Sequence, residues 1–192
     1  MNDTHTPGFD ALDPMAVGED ALHNVFRLIG EEWMLISAAD PDTGRPNTMT
    51  ASWGSLGFLW GKPVCTCFIR PQRFTYGLAE KTDRLSFAFL PEAYRGALKY
   101  CGAHSGREGD KFAAAGLTPC LYREPDGDAL PGDMSPVPYP AEARMVLIGR
   151  KLYADDLKEN CFLDTGLLGN YRQKDYHRFY ICEIQRVLIR RS

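Results

Sequence analysis

The segment 47–57 carries side chains suited to holding a flat polar ligand. It begins like a strand, and Thr50 and Ser52 add hydroxyl groups to it. Its glycines let a ligand approach the backbone closely, and Trp53 offers an aromatic face. An edge strand that runs into a glycine-rich turn would give the same pattern. The segment alone therefore leaves a ligand site and a purely structural interpretation open.

The segment 68–76 combines two cations with the predicted start of a helix. Arg70 and Arg73 precede a helix predicted over Phe74 to Lys81, and Thr75 falls in its first turn. A helix N-terminus attracts phosphate through its free N–H groups, and arginine adds bidentate contacts. The pattern favours a phosphate site. The alternative is that Thr75 only caps the helix and the arginines are solvated.

A third segment, 101–119, is a glycine-rich loop with the hydroxyl of Ser105 and the cations Arg107 and Lys111. Such a loop suits an anionic group, and Lys111 is a candidate to stabilise negative charge on an electron-rich ring. The alternative is an exposed loop in which Asp110 caps the next helix.

His177 precedes the predicted last strand and is the candidate catalytic residue, as a general acid. No serine or cysteine in a recognisable nucleophile elbow accompanies it, so a hydrolase triad is poorly supported. No histidine–carboxylate cluster indicates a metal. The alternative role for His177 is a hydrogen bond that anchors the final strand.

Composition narrows the class of protein and its location. The chain has 22 basic and 25 acidic residues, which argues against a nucleic-acid surface. No apolar run approaches the roughly 18–20 residues that span a bilayer, so no membrane association is expected. The polar start cannot be a signal peptide, and the six cysteines are expected to be reduced in the cytoplasm. Cys65 and Cys67 would share one strand face as small hydrophobic side chains.

These candidate residues must be positioned by a mainly β domain. Periodicity and turn residues predict six or seven short strands with two or three helices, which indicates a closed or half-open barrel. Residues 1–18 are predicted to be a flexible arm, 19–192 a single domain, and 123–140 a proline-rich loop within it. The predicted helices are 19–32, 74–81 and 93–100; the predicted strands are 33–39, 47–53, 63–70, 85–90, 117–122, 144–153 and 179–189.

In this order the segments resemble the flavin reductase-like family of FMN-binding split barrels, particularly its flavoredoxin-like branch. The resemblance runs from about Asn24 to Leu188. Its most specific parts are the runs 47–53, 67–75, 105–107 with 110–112, and 175–177.

The resemblance implies a Greek-key split barrel that binds FMN at a homodimer interface. The implied cofactor-binding residues are Asn47, Met49, Thr50, Ala51, Ser52 and Trp53 at the ring and ribityl chain, Arg70, Arg73 and Thr75 at the phosphate, and Ser105, Lys111 and Phe112 in the later segment. His177 matches a position on the nicotinamide side, although Asp175-Tyr176-His177 differs from the family's usual Asp-His.

Two functions follow from the resemblance. The first is an NAD(P)H-dependent flavin reductase, with NADH or NADPH as co-substrate. The second is a flavoredoxin-like electron-transfer protein with permanently bound FMN and a protein electron donor or acceptor. A third, weaker class is a binder of another cofactor such as haem or F420.

Overall fold

The computed structural model describes residues 8–17, 24–124 and 136–191. Within these ranges the chain forms ten strands, numbered in chain order. They are β1 (Phe9–Leu12), β2 (Met34–Ala39), β3 (Pro46–Ala51), β4 (Gly54–Leu59), β5 (Lys62–Ile69), β6 (Arg84–Phe89), β7 (Pro119–Tyr122), β8 (Val137–Pro140), β9 (Met145–Asp156) and β10 (Arg178–Arg190).

One large antiparallel sheet dominates the fold. Its strand order is β3-β2-β6-β9-β10-β5-β4, with β1 paired to β10, and β7 and β8 form a separate two-stranded sheet. The pairs β6–β9 and β5–β10 join strands that are distant in the chain, as Greek-key connections do. The predicted mainly β class with flanking helices is confirmed.

The large sheet curls around an apolar interior. Met49 of β3 and Cys67 of β5 belong to one buried cluster with Phe87, Leu147 and Tyr180, although β3 and β5 are not neighbours in the sheet. The curl brings the end of β3 towards the β4–β5 side of the barrel. It therefore decides which loops meet at the site.

A second buried cluster covers the outer face of the sheet. Leu35 and Val146 on the strands pack there with Leu98 of a helix and Tyr139 of β8. Both faces of the central strands are consequently dry, and all six residues of β6 are buried. Burial on both faces explains why apolar residues occur on both sides of these strands, and it also encloses the polar residues Ser37, Arg84 and Ser86.

Four short α-helices lie among the described residues. They are α1 (Val25–Arg27), which continues as a π-helix over Leu28–Glu32, then α2 (Phe74–Lys81), α3 (Arg95–Ala103) and α4 (Lys111–Ala114). The prediction for α2 has the observed bounds, whereas α3 begins after a 3₁₀ turn at Glu92–Tyr94. The carboxylate of Asp110 accepts hydrogen bonds from two backbone N–H groups of α4, so it caps that helix as the alternative interpretation held.

The predicted flexible N-terminal arm is wrong in part. Residues 9–12 are not a flexible arm but form β1, because Phe9 is 1% exposed and its ring packs edge-on against Tyr139. The polar residues around Phe9 give no local indication of this contact, because Tyr139 is far along the chain. Of the helix predicted over 19–32, residues 19–23 lie outside the described ranges, and the helical part observed is 25–32.

Two segments that were not predicted as strands form strands. Gly54–Leu59 continues from the expected turn as β4, where Gly54 is required because a Cβ there would lie 2.7 Å from the carbonyl oxygen of Thr66. The end of the loop predicted over 123–140 forms β8 against β7, and residues 125–135 lie outside the described ranges. The prolines of β8 led to the loop prediction, because proline is typical of loops although edge strands also tolerate it.

Among the helices of the described ranges, none has both the length and the apolar character needed to cross a bilayer.

Candidate functional site

A cleft of about 230 Å³ opens where β3 ends, beside β5 and the start of β10. Eight of the residues predicted from the sequence line it, together with Phe68 and Gly102. The eight are Met49, Thr50, Ala51, Ser52, Trp53, Arg70, Arg73 and His177. The fold thus brings three separate sequence segments to one opening.

The β3 side of the cleft is built by alternation along the strand. Met49 and Ala51 are buried in the barrel core, whereas Thr50 and Ser52 are half-buried on the opposite side. The hydroxyl of Thr50 donates a hydrogen bond to the carbonyl oxygen of Leu98 and so ties β3 to α3. Ser52 and the 45% exposed Trp53 follow where the strand ends.

A smaller pocket of about 160 Å³ lies at the start of α2. It is lined by residues of α2, of the 103–108 loop and of α4. They include four predicted residues, Arg73, Thr75, Ser105 and Lys111. Because Arg73 lines both the cleft and this pocket, the two are adjacent. We call the smaller space the helix pocket.

Two cations stand between the helix pocket and the end of α3. The guanidinium of Arg73 donates to the carbonyl oxygen of Gly102 over 2.8 Å, and the amine of Lys111 donates to that of Cys101 over 2.6 Å. The C-terminus of a helix carries partial negative charge, which holds both cations in place. Burial lowers the pKa of Lys111 to about 8 and also lowers that of Arg73.

Asn47 supports the helix pocket from behind rather than lining it. Its side-chain amide donates to the hydroxyl of Thr75 over 2.8 Å, and both residues are buried. Gly106 fits tightly against this pair, since a Cβ there would lie 2.2 Å from Oδ1 of Asn47 and 2.5 Å from Cδ1 of Phe74. Asn47 and Gly106 therefore lock the 105–108 loop onto the start of α2.

Phe112 is not brought to the site. Its side chain is fully buried in the outer core cluster with Leu98 and Leu117, and it lines neither the cleft nor the helix pocket. The aromatic ring is on the core side of α4, while its neighbour Lys111 faces the helix pocket. The sequence motif placed the two residues together, but helical geometry separates them.

Arg70 lines the cleft, yet its guanidinium is engaged with the segment before β10. It forms an ion pair with Asp175 and donates to the carbonyl oxygen of Asn170 over 3.0 Å. It also stands over the ring of Tyr171 at 5.2 Å. These contacts hold the 170–177 segment against β5, and they hold the pKa of Asp175 below its usual value. Arg70 thus has a structural task that the sequence did not indicate.

His177 forms the wall of the cleft opposite β3. Its ring lies 5.0 Å from the ring of Trp53, and its Nδ1 is 2.9 Å from the hydroxyl oxygen of Tyr171. Only 7% of His177 is exposed. Burial, reinforced by the charge of Arg70, lowers its pKa to about 4, so the imidazole is neutral at pH 7.

The sequence profile of the flavin reductase like domain matches residues 26–191, most of the chain. The chain belongs to the flavin reductase-like family. No curated protein matches the sequence.

Several solved structures share the split-barrel fold of this chain. Flavoredoxin of Desulfovibrio vulgaris (Miyazaki F) has a TM-score of 0.58 and 23% identity over 82% of this chain and 68% of that one. An FMN-binding protein from Thermus thermophilus, with bound p-hydroxybenzaldehyde, gives 0.55 and 23% over 81% and 69%. An NADH:FAD oxidoreductase from Streptomyces globisporus, in complex with NAD and FAD fragments, gives 0.55 and 12% over 89% and 84%.

The site of this flavin reductase-like protein also contains residues that sequence reasoning missed. A third space, of about 310 Å³, shares Thr50, Ser52 and Gly102 with the cleft and is also lined by Trp33 and Leu98. Trp33 has a φ of 67° at the end of the π-helix, and the guanidinium of Arg95 packs on its ring at 4.5 Å. The local sequence did not predict the positive φ of Trp33.

No cysteine side chain lines the cleft or the helix pocket. Cys65, Cys67 and Cys182 are fully buried in the barrel core, as expected for small hydrophobic side chains. Within the described ranges no group of three or more histidine, cysteine, aspartate or glutamate residues could hold a metal ion.

Proposed function

We propose that this protein binds FMN, with the phosphate in the helix pocket and the ring system in the cleft. One observation carries the proposal. A cleft lined by β3, Trp53 and His177 lies beside a pocket that holds the buried cation of Lys111 and the half-buried cation of Arg73.

The helix pocket fits an anionic group by its charges. Neither Arg73 nor Lys111 forms a salt bridge to a carboxylate within the described residues; both donate to backbone carbonyl oxygens. A buried cation such as that of Lys111 is costly without an anion. Thr75 and Ser105 supply hydroxyl donors on the pocket wall, and Glu108 is the one acidic residue lining it. A phosphate would complete this donor set.

FMN, when bound, supplies the acceptance and release of electrons. The chain's own residues bind and orient it. The side chains of Thr50 and Ser52 face the cleft where ring edges would need polar partners, and Trp53 and Phe68 exclude water from its wall. The tie between Asn47 and Thr75 keeps the start of α2 in position beneath the phosphate.

We further propose that the protein is an NAD(P)H-dependent flavin reductase, or a related flavin-dependent oxidoreductase. His177 stands in the cleft wall as a neutral side chain, suited to hold a co-substrate amide by a hydrogen bond. The Streptomyces globisporus protein, an NADH:FAD oxidoreductase, shares the fold.

The second candidate is an electron-transfer protein with permanently bound FMN and a protein donor or acceptor. The anchoring of 170–177 by Arg70 favours it, because Asp175 and Tyr171 hold this segment beside the cleft and narrow the approach of a dinucleotide. The similar fold of a flavoredoxin agrees with it.

We also propose a homodimer, based on an exposed aromatic surface. Phe68, Phe179, Tyr153 and Trp60 follow one another across β5, β10, β9 and the β4–β5 turn, with ring centroids 6.0–6.5 Å apart. Trp60 is 59% exposed and Tyr153 46%. We call these four residues the aromatic face. Such a patch indicates a protein interface, and a symmetric pair of chains is the commonest solution.

The six free cysteines fit a reducing compartment, for which we propose the cytoplasm.

The first experiment asks whether the purified protein is yellow and releases FMN on denaturation. A colourless protein that binds no FMN at micromolar concentrations would refute the proposed FMN binding.

Anaerobic stopped-flow mixing of the loaded protein with NADH or NADPH then separates the two functions. Rapid bleaching of the flavin band supports the reductase. Negligible bleaching, with ready reduction by dithionite or a ferredoxin-type donor, supports electron transfer.

A further inference from the structure

Tyr171 is joined to His177 by a single hydrogen bond outside the cleft. Its hydroxyl oxygen lies 2.9 Å from Nδ1 of His177, and both residues are buried. Tyr171 does not line the cleft, whereas His177 does. The rings meet edge-on, with centroids 5.6 Å apart. The Tyr171 hydroxyl therefore reaches the cleft through its hydrogen bond to His177.

The direction of this hydrogen bond follows from the surroundings of the phenol. The hydroxyl of Tyr171 has no other acceptor among the described residues, and the nearest charged group above its ring is the cation of Arg70. Burial raises the pKa of Tyr171, so the phenol keeps its proton. If the phenol accepted from Nδ1–H, its own buried O–H would have no acceptor, so the arrangement that satisfies both groups is the one in which the phenol donates to Nδ1.

A neutral imidazole has one N–H, and the bond at one nitrogen decides where it lies. His177 is neutral at pH 7 because burial and Arg70 oppose its protonation, with Asp175 acting weakly in the other direction. If Nδ1 accepts from Tyr171, the proton must be on Nε2. No hydrogen bond to Nε2 is made within the part of the chain that the structure describes.

We propose that Tyr171 is a positioning residue that fixes His177 as the Nε2–H tautomer and so presents a hydrogen-bond donor, not an acceptor, to the cleft. The group recognised there is an acceptor atom of the redox co-substrate, such as a carboxamide oxygen. This second statement rests on the proposed reductase function, whereas the tautomer does not.

Arg70 and its partners make the arrangement rigid. The ion pair to Asp175 and the bond to the carbonyl oxygen of Asn170 fix both ends of the segment that carries Tyr171. Phe162 and Tyr176 pack around the Tyr171 ring at 5.7 and 5.0 Å. The phenol thus cannot turn away from Nδ1 without loss of this packing.

The tautomer is tested by long-range proton–nitrogen NMR on the full chain labelled with ¹⁵N-histidine. The chain has only four histidines, and the His177→Gln variant assigns the signal. At neutral pH we expect an unprotonated Nδ1 and a protonated Nε2. In Tyr171→Phe the two nitrogen shifts should move towards each other as the tautomers mix. Tyr176→Phe is the matched control, because the Tyr176 hydroxyl bonds Glu159 instead, and it should leave the pattern unchanged.

The function of the donor is tested by steady-state kinetics with NADH or NADPH. Tyr171→Phe should raise KM about two- to tenfold, the value of one neutral hydrogen bond, with unchanged FMN content. His177→Gln, whose amide N–H imitates Nε2–H, should retain more activity than His177→Ala. A protonated Nδ1 in the wild type, or an unchanged tautomer in Tyr171→Phe, would overturn the proposal. Lack of reduction by either nucleotide would refute only the reductase function, since the NMR result stands without it.

Discussion

Arg73 lines both the cleft and the helix pocket, and in the proposed binding mode its charge acts on the phosphate and not on the ring system. We expect Arg73→Gln to weaken FMN binding tenfold or more, because a charge-assisted hydrogen bond contributes about 1.5–3 kcal/mol. Riboflavin, which lacks the phosphate, should lose little affinity. Fluorescence titration of the apoprotein with both flavins measures the difference.

Arg107→Gln is the matched control for that experiment. Arg107 packs on the Phe74 ring at 5.6 Å and donates to the carbonyl oxygen of Gln72, but it lines neither space. It should leave both affinities unchanged. Equal losses for FMN and riboflavin in Arg73→Gln would show that the phosphate lies elsewhere.

Lys111 makes FMN affinity depend on pH. Burial lowers its pKa to about 8, so the amine of the free protein loses its proton above that pH. The protonated form attracts phosphate more strongly. FMN affinity should therefore fall as the pH rises from about 8 to about 9.5, while riboflavin affinity stays level. Lys111→Met should remove the slope; a slope that persists in this variant would assign the titration to another group.

The start of α2 and the 105–108 loop form one unit because Gly106 has no side chain. We expect Gly106→Ala to lower the free energy of unfolding by about 1–3 kcal/mol and to weaken FMN binding, since its Cβ would overlap Asn47 and Phe74. Urea unfolding and flavin titration measure the two effects.

Gly77→Ala, within α2 itself, is the control for that element. A Cβ at Gly77 meets nothing within 4 Å. Because alanine favours a helix over glycine, this variant should be stabilised by about 0.5–1 kcal/mol and should bind FMN normally. Destabilisation by both substitutions would mean that α2 tolerates no change, and the close fit at Gly106 would lose its explanation.

The whole molecule is expected to pair through its aromatic face. Light scattering should give twice the 21.5 kDa chain mass at micromolar concentration. Trp60→Ser with Tyr153→Lys should shift the protein towards the monomer by removing apolar area and adding like charges at the interface. Leu163→Ser, fully exposed but apart from the aromatic face, should not. A wild-type monomer would refute the interface.

The main elements and the chemistry of the site follow from local sequence. The helix at 74–81 and most central strands were predictable because each is set by its own periodicity and flanking turns. The segments around Thr50, Arg73 and His177 were likewise predictable as parts of a site from their residue types. Flavin reductase-like membership, carried by these short motifs in order, agrees with the profile match.

The remaining features depend on contacts between residues far apart in the chain, which only tertiary structure decides. β1 forms because the ring of Phe9 packs against Tyr139, and β8 pairs with β7 despite its prolines. Side-chain direction on α4 sends Lys111 to the helix pocket and Phe112 to the core. The curl of the sheet and the docking of 170–177 give Arg70 and Tyr171 their partners. Local sequence supplied the functional groups, but their orientations and protonation states arise from burial and from long-range packing.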